Sequence, residues 1–159
     1  MEPKLVDVGE MVIVGVEEKG ADILALWKRF DAAEGAVRNA VEGTYYELHE
    51  HPAGEHEWKD VSIMVGIQVM APGEVTDGLS VKVLPPSCYA VFAHRLADGG
   101  YEGANDAMNA WLDRGPYKMP RDLSIQRFEV SRFKGGTSPE SEIDFLLPVV
   151  RKDSHPSKS

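Results

Sequence analysis

The 159-residue sequence predicts an α+β domain built from a duplicated β-α-β-β unit, and three observations predict it. Val61, Ile63, Val65, Ile67 and Val69 alternate strictly with Ser62, Met64, Gly66, Gln68 and Met70, the period-2 signature of a strand with one face committed to a core. Two other stretches, each carrying a tryptophan, repeat apolar residues at helical spacing. The order strand, helix, strand, strand then runs through the chain twice.

The elements follow in order. Residues 4–17 are valine-rich and broken at Gly9-Glu10, which reads as one bent strand or two short ones. Asp22 stands at a helix N-cap position ahead of Ile23, Leu26, Trp27 and Phe30, spaced i, i+3, i+4, i+7. A second helical piece is expected over about residues 32–41, with Ala33, Ala36, Val37 and Ala40 on one face and Gly43 ending it. The segment TYYELH is aromatic and extended, EHPAGEHEWKD is a polar connection, and Pro72-Gly73 closes the alternating strand. Residues 79–83 and 88–94 read as strands separated by Pro85-Pro86, which donate no ladder hydrogen bonds. A helix is expected over about residues 101–112, its apolar side formed by Ala104, Ala107, Met108, Trp111 and Leu112, with Gly115-Pro116 as its stop. Residues 124–133 and 143–150 are the remaining strands. Residues 1–150 thus read as one domain and 151–159 as a flexible tail.

The halves echo each other. Each helix carries a tryptophan, Trp27 or Trp111, and each following strand carries an aromatic–glutamate pair, Tyr46-Glu47 or Phe128-Glu129. Two such units would join about a pseudo-two-fold axis, with antiparallel sheets curling around a central cleft and two helical segments packed outside. Concave junctions of this kind are where ligands bind.

Composition narrows the function. A content of 43% hydrophobic and 27% charged residues is that of an ordinary globular protein, and the formal charge of −9 argues against a nucleic-acid binder. The single cysteine, Cys88, excludes an intrachain disulfide framework and a multi-cysteine zinc site, and is expected to be a buried structural thiol. No basic region followed by an apolar run opens the chain, and no stretch is long enough to cross a bilayer, so a cytoplasmic protein without membrane contact is expected. His49, His51 and His56 stand among Glu50, Glu55 and Glu57 without zinc spacing; the segment reads as a solvated hairpin loop, and no metal or cofactor is expected. The GGT of FKGGTSPE is turn chemistry.

Several segments together carry a family likeness: PKLVDVGEMVIVGV, ALWKRF, VSIMVGIQV, LPPSCYAVFAH and IQRFEV. In their order and spacing they resemble the GyrI-like effector-binding domain, found in AraC-type and MerR-type multidrug regulators and in small free-standing proteins. The resemblance spans residues 4–150. It implies the same duplicated fold, and a glutamate at the position of Glu129 within an aromatic-walled pocket that faces bulky lipophilic cations. The chain departs from many relatives at Gln68, where they carry glutamate, and at Tyr46, where they carry glycine. It opens directly on the first strand of the ligand domain, so no helix-turn-helix and no direct DNA binding are expected.

The residues alone leave Glu129 two readings: a cleft carboxylate relieved by a cationic ligand, or an outward strand glutamate paired with Arg127 or Arg132. Glu47 is its counterpart in the first half. Tyr46 and Leu48 share one face of their strand, and Tyr45, Glu47 and His49 share the other. Trp27, Tyr46 and Trp111 are the expected pocket walls; Gly66, flanked by Met64 and Gln68, is expected to leave room for a ligand that Gln68 hydrogen-bonds. The leading expectation is therefore a small-molecule binder, its ligand amphipathic and cationic or planar, serving sequestration or signalling to a separate partner. A second is a hydrolase of strained cyclopropane-containing natural products, as the resemblance implies for some free-standing members, with Glu129, Glu47 and Tyr46 as catalytic groups. A third is a protein-interaction role of the gyrase-inhibitor type.

Overall fold

The computed structural model describes residues 2–71, 73, 75 and 78–153. These residues form ten strands and two α-helices: β1 (Lys4–Val8), β2 (Met11–Lys19), α1 (Ile23–Ala33), β3 (Ala40–Glu50), β4 (Ser62–Val69), β5 (Ser80–Leu84), β6 (Ser87–Arg95), α2 (Gly100–Arg114), β7 (Tyr117–Lys118), β8 (Leu123–Glu129), β9 (Glu142–Pro148) and β10 (Val150–Arg151). Eight strands make one antiparallel sheet in the order β1-β6-β9-β8-β3-β4-β2-β5, curled into a half-barrel with both helices on one face. The expected α+β architecture is present.

The strand order reads the same from both ends if β1 is matched with β5, β2 with β6, β3 with β8 and β4 with β9. A pseudo-two-fold axis therefore passes between β3 and β8. The break at Gly9-Glu10 divides the valine-rich opening segment between opposite regions of this sheet. Its first part, β1, pairs with β6 of the second half; its second part, β2, pairs with β4 of the first. β5 makes the reciprocal move, pairing with β2. Each half thus takes its outermost strand from the other half of the sequence.

α1 begins as its sequence predicts, the Asp22 carboxylate accepting the Ala25 N–H at 3.1 Å. Leu26 and Phe30, one turn apart, are buried against Val16, Val61, Ile63, Val65 and Ile67. Burying a side chain of this size contributes about 1.5–3 kcal/mol. The second helical piece does not form. After a 3-10 turn at Glu34–Ala36 the backbone extends at Val37, Asn39 takes a left-handed φ of 63°, and β3 starts at Ala40. Asn39 tolerates that conformation, and its carbonyl accepts the Met70 N–H at 2.9 Å, so tertiary pairing overrides helix propensity here. Gly43, expected to end a helix, lies instead at a register shift inside β3 with φ 91°.

α2 packs Ala104 and Met108 on Ala90, Phe92, Ile143, Phe145 and Leu147, and ends at Gly115, whose N–H bonds the Trp111 carbonyl at 2.9 Å. β8 stops at Glu129, short of the expected Phe133, because the chain turns there: the N–H groups of Arg132 and Phe133 both bond the Glu129 carbonyl. β10 pairs with β7, and the Arg151 guanidinium lies 5.8 Å from the centre of the Tyr117 ring. The ordered chain therefore runs past Val150. Residues 154–159 of the expected tail, and Pro72 of the expected turn, lie outside the described residues.

β4 is buried on both faces. Ile63, Val65 and Ile67 lie under α1, while Met64 joins Met11, Ile13, Tyr46, Leu48, Leu84, Tyr89, Leu123, Ile125 and Leu146 in a second core inside the curl of the sheet. Glu17, Lys82, Glu50 and Arg121 form an ion-pair chain on this inner face, with Lys82 Nζ 2.6 Å from Glu17 and Arg121 Nη2 2.9 Å from Glu50. A curled sheet therefore has two apolar faces, and the alternating pattern alone does not say which one meets the helices.

Candidate functional site

The helix face of the sheet carries a cleft directly over the pseudo-two-fold seam. Its floor consists of cross-strand pairs of β3 and β8: Tyr45 with Phe128, Glu47 with Gln126, and His49 with Ser124. Ile23, Leu24 and Trp27 of α1 wall one side and Tyr101, Asn105 and Met108 of α2 the other, while Phe133, Gly136 and Thr137 close the end. An apolar chamber of about 300 Å³, with Trp27, Tyr45, Phe128 and Phe133 around it, opens past Glu47 into a wider, more polar lobe. That lobe, of about 700 Å³, adds His49, His51, Asn105, Ser124, Gln126 and Thr137. These dimensions fall in the range of small-molecule sites.

Glu47 stands where the chambers meet. Its side chain is only 7% exposed, and both oxygens are engaged. The Trp27 indole N–H donates to Oε1 at 2.7 Å, and His49 Nε2 donates to Oε2 at 2.5 Å. Such hydrogen bonds to a carboxylate contribute about 1.5–3 kcal/mol each and fix its direction. His49 rests edge-on against Trp58, whose indole N–H bonds the Ala21 carbonyl at 3.1 Å. Among the described residues lining the cleft, Glu47 is the sole carboxylate, and no lysine or arginine accompanies it.

Two tyrosines on this face respond to their surroundings. The Tyr45 hydroxyl donates to Glu34 at 2.5 Å, and that hydrogen bond, with burial and the Glu34 charge, pushes its pKa up to about 12. The Tyr101 hydroxyl is pushed upward by burial and then by the negative charge of Glu47. The aromatic walls meet at edges: Trp27 and Phe128 lie 5.4 Å apart at 90°, and Phe128 and Phe133 5.0 Å apart at 76°.

Of the residues expected to line the site, the cleft brings together Trp27 and Glu47. Tyr46, Met64, Gly66 and Gln68 all lie on the opposite face, where the Tyr46 hydroxyl donates to Gln68 at 3.4 Å. Gly66 does not make room for a ligand. A Cβ there would stand 2.4 Å from the Val14 carbonyl, and one on its partner Gly15 would stand 1.9 Å from that of Val65. The paired glycines permit close approach of β2 and β4. Trp111 is core: it meets Phe92 edge-on and stacks on Tyr117 at 5.5 Å.

Glu129 also lies on the opposite face, beside a separate hollow of about 500 Å³ lined by Lys4, Val6, Val91, Arg127, Arg132 and Asp144. Its carboxylate, 37% exposed, sits 2.9 Å from Arg132 Nε. Arg127 and Arg132 also hold the buried Asp144, at 2.8 and 2.5 Å. Burial pushes the Asp144 carboxyl upward, but the two guanidinium groups outweigh it and leave its pKa below the usual value.

Cys88 is half-buried at the start of β6, its thiol pushed up by burial and by Asp7 on the paired strand. His51 and His56 bond each other at 2.9 Å, and among the described residues no group of three or more His, Cys, Asp or Glu is arranged to hold a metal ion. None of the described helices is long and apolar enough to cross a membrane.

Parity within β3 and β8 would have found Tyr45, His49, Gln126 and Phe128 once Glu47 was assigned to the helix face. Tyr101 and Phe133 carry no such signal, since one opens a helix and the other lies in a loop.

Residues 9–149 match the profile of a family described as Cass2, integron-associated effector binding protein. No curated protein matches the chain. Among solved structures, EcmrR in complex with DNA is similar at a TM-score of 0.71 and 14% identity, over 94% of this chain and 57% of that one. The chain thus spans little more than half of EcmrR. SAV2435 bound to tetraphenylphosphonium is similar at 0.63 and 17% identity, over 94% of each chain. The integron cassette protein VCH_CASS2 from Vibrio cholerae is similar at 0.61 and 11% identity, over 94% of this chain and 97% of that one. At these identities the likeness is one of fold, and it is the fold of GyrI-like effector-binding domains.

Proposed function

Because the chain belongs to the Cass2 family of integron-associated effector binding proteins, we propose that its effector is a lipophilic cation held between α1 and α2 with Glu47 as counter-charge. The observation that carries this reading is the charge balance of the cleft: one buried carboxylate among aromatic rings, with no lysine or arginine among the described lining residues. A buried carboxylate is costly to keep ionised without a positive partner. A cationic ligand supplies one, and Trp27 and Tyr45 add cation–π attraction of about 0.5–2 kcal/mol per well-placed ring. The tetraphenylphosphonium bound by SAV2435 is a compound of this class and supports the reading.

Glu129 is the less suited carboxylate, since Arg132 already neutralises it. Calorimetric titration with tetraphenylphosphonium tests the assignment. Glu47→Gln is expected to weaken binding by tenfold or more, Glu129→Gln by less than twofold, and the compound is recovered unchanged by mass spectrometry. The opposite ranking of the two variants would transfer the site to the other face. Hydrolytic products in the recovered compound would replace binding with turnover.

A further inference from the structure

Among the described residues lining the cleft, His49 is the basic side chain bonded to Glu47. We propose that His49 is the specificity-determining residue of this site: in its protonated form it occupies the position of the ligand's positive charge, so a cation binds by taking the place of a proton. The inference rests on the reading of the cleft as a cation site.

The geometry is that of a replaceable counter-ion. His49 Nε2 lies 2.5 Å from Glu47 Oε2, while Oε1 is taken by the uncharged Trp27 indole. Nε2–H donates in both charge states of the ring, so the exchanged proton is the one on Nδ1 and the hydrogen bond to Glu47 survives its loss. Protonated, the His49–Glu47 pair is neutral and offers a cation little; deprotonated, the pair carries one negative charge between the two chambers. Entry of a permanent cation then restores neutrality, and the departing proton goes to solvent.

Among the described residues around His49, no other group performs the same exchange. On its own strand His49 faces Glu47, and beyond the strand end lies His51, whose ring is bonded to His56 at 2.9 Å. β8 presents Ser124 and Gln126, and β4 presents Ile63, all uncharged. α1 contributes Ile23, Leu24 and Trp27; α2 contributes Tyr101, pushed toward its neutral form, together with Asn105 and Met108. Trp58 covers the edge of the imidazole. Lys59, its neighbour, is 75% exposed and paired with Glu57.

Tetraphenylphosphonium is the probe, because its own charge does not change with pH. Its dissociation constant is measured between pH 5 and 9 at constant ionic strength, and proton release by calorimetry in buffers of differing ionisation enthalpy. The wild-type protein is expected to lose affinity as pH falls across this range, approaching tenfold per pH unit, with nearly one proton released per cation at the acid end and none at the alkaline end. His49→Gln is expected to lose the pH dependence, its dissociation constant staying level between pH 5 and 9, and His51→Gln to keep the wild-type slope. Neutral triphenylphosphine oxide is expected to show no such slope. Wild-type binding that is flat with pH overturns this inference and leaves the cation site standing. A slope that persists in His49→Gln overturns the assignment to His49. Absence of tetraphenylphosphonium binding at every pH overturns both.

Discussion

β3 and β8 lie side by side, and each carries an aromatic residue followed by glutamate, yet the two carboxylates point to opposite faces of the sheet. Tyr45 pairs with Phe128 and Thr44 with Glu129, so the dipeptides Tyr46-Glu47 and Phe128-Glu129 are out of step by one residue. A one-residue offset in a strand exchanges its faces. Glu47 therefore meets an indole, an imidazole and a cleft, whereas Glu129 meets a guanidinium on the far side. The difference shows that an echo between duplicated halves identifies residue types but not their environment. Environment decides which carboxylate has charge left to offer a ligand.

Four substitutions break or sharpen that contrast. Asp144→Asn removes the anion that Arg127 and Arg132 share beneath Glu129, and is expected to cost on the order of 3 kcal/mol in urea unfolding. Tetraphenylphosphonium binding per folded molecule should not change, because the damage lies on the other face. The same ion cluster sets an acid limit. The pKa of Asp144 is lowered on folding, so its contribution is present above the unfolded value of about 3.9 and is lost as pH falls below it, which a pH series of melting temperatures reads directly.

Gly66→Ala drives a Cβ into the Val14 carbonyl and is expected to cost about 1–3 kcal/mol of stability, again with binding by folded protein unchanged. Weakened binding without lost stability would instead make Gly66 a ligand contact. Trp27→Phe keeps a ring but leaves Glu47 Oε1 without its donor, for an expected loss of about 1–2 kcal/mol. Glu129→Gln, at an ion pair open to water, is expected to change stability by less than about 0.5 kcal/mol. Equal costs at these two positions would erase the distinction between the carboxylates.

Tyr45 supplies the smallest effect near neutral pH. Its pKa of about 12 lies above the unfolded value near 10, so its share of stability is complete below about pH 10 and lost as pH rises toward 12. Ultraviolet titration should include a phenol ionising at about pH 12, and Tyr45→Phe should remove that step.

Most of the fold was legible in the sequence because its signals are local. The alternation over residues 61–69, the Asp22 cap and the stop at Gly115 each act within a few residues. The parity of β3 was legible too: Tyr45, Glu47 and His49 do share a face. Which face met the helices was not, because Tyr46, Leu48 and Met64 fill a second core as apolar as the first. Met64, Gly66 and Gln68 were expected at the ligand because they oppose the valine row, and in most half-buried strands that side is free. Here the curl of the sheet buries it. The helix expected at residues 32–41 failed for a related reason: Asn39 is held in a left-handed turn by pairing with Met70, a contact distant in sequence.

The exchanged edge strands have a practical corollary. Severing the chain between β4 and β5 would give two fragments, each keeping one helix and three central strands but owning the outer strand of its counterpart. Neither piece carries a finished edge, so each is expected to remain unstructured until the other arrives. The cleft straddles the line along which they would rejoin, so a bound cation would tighten their reassembly. A protein of this topology is in effect a two-component reporter already written as one polypeptide, with the proposed effector site at the splice.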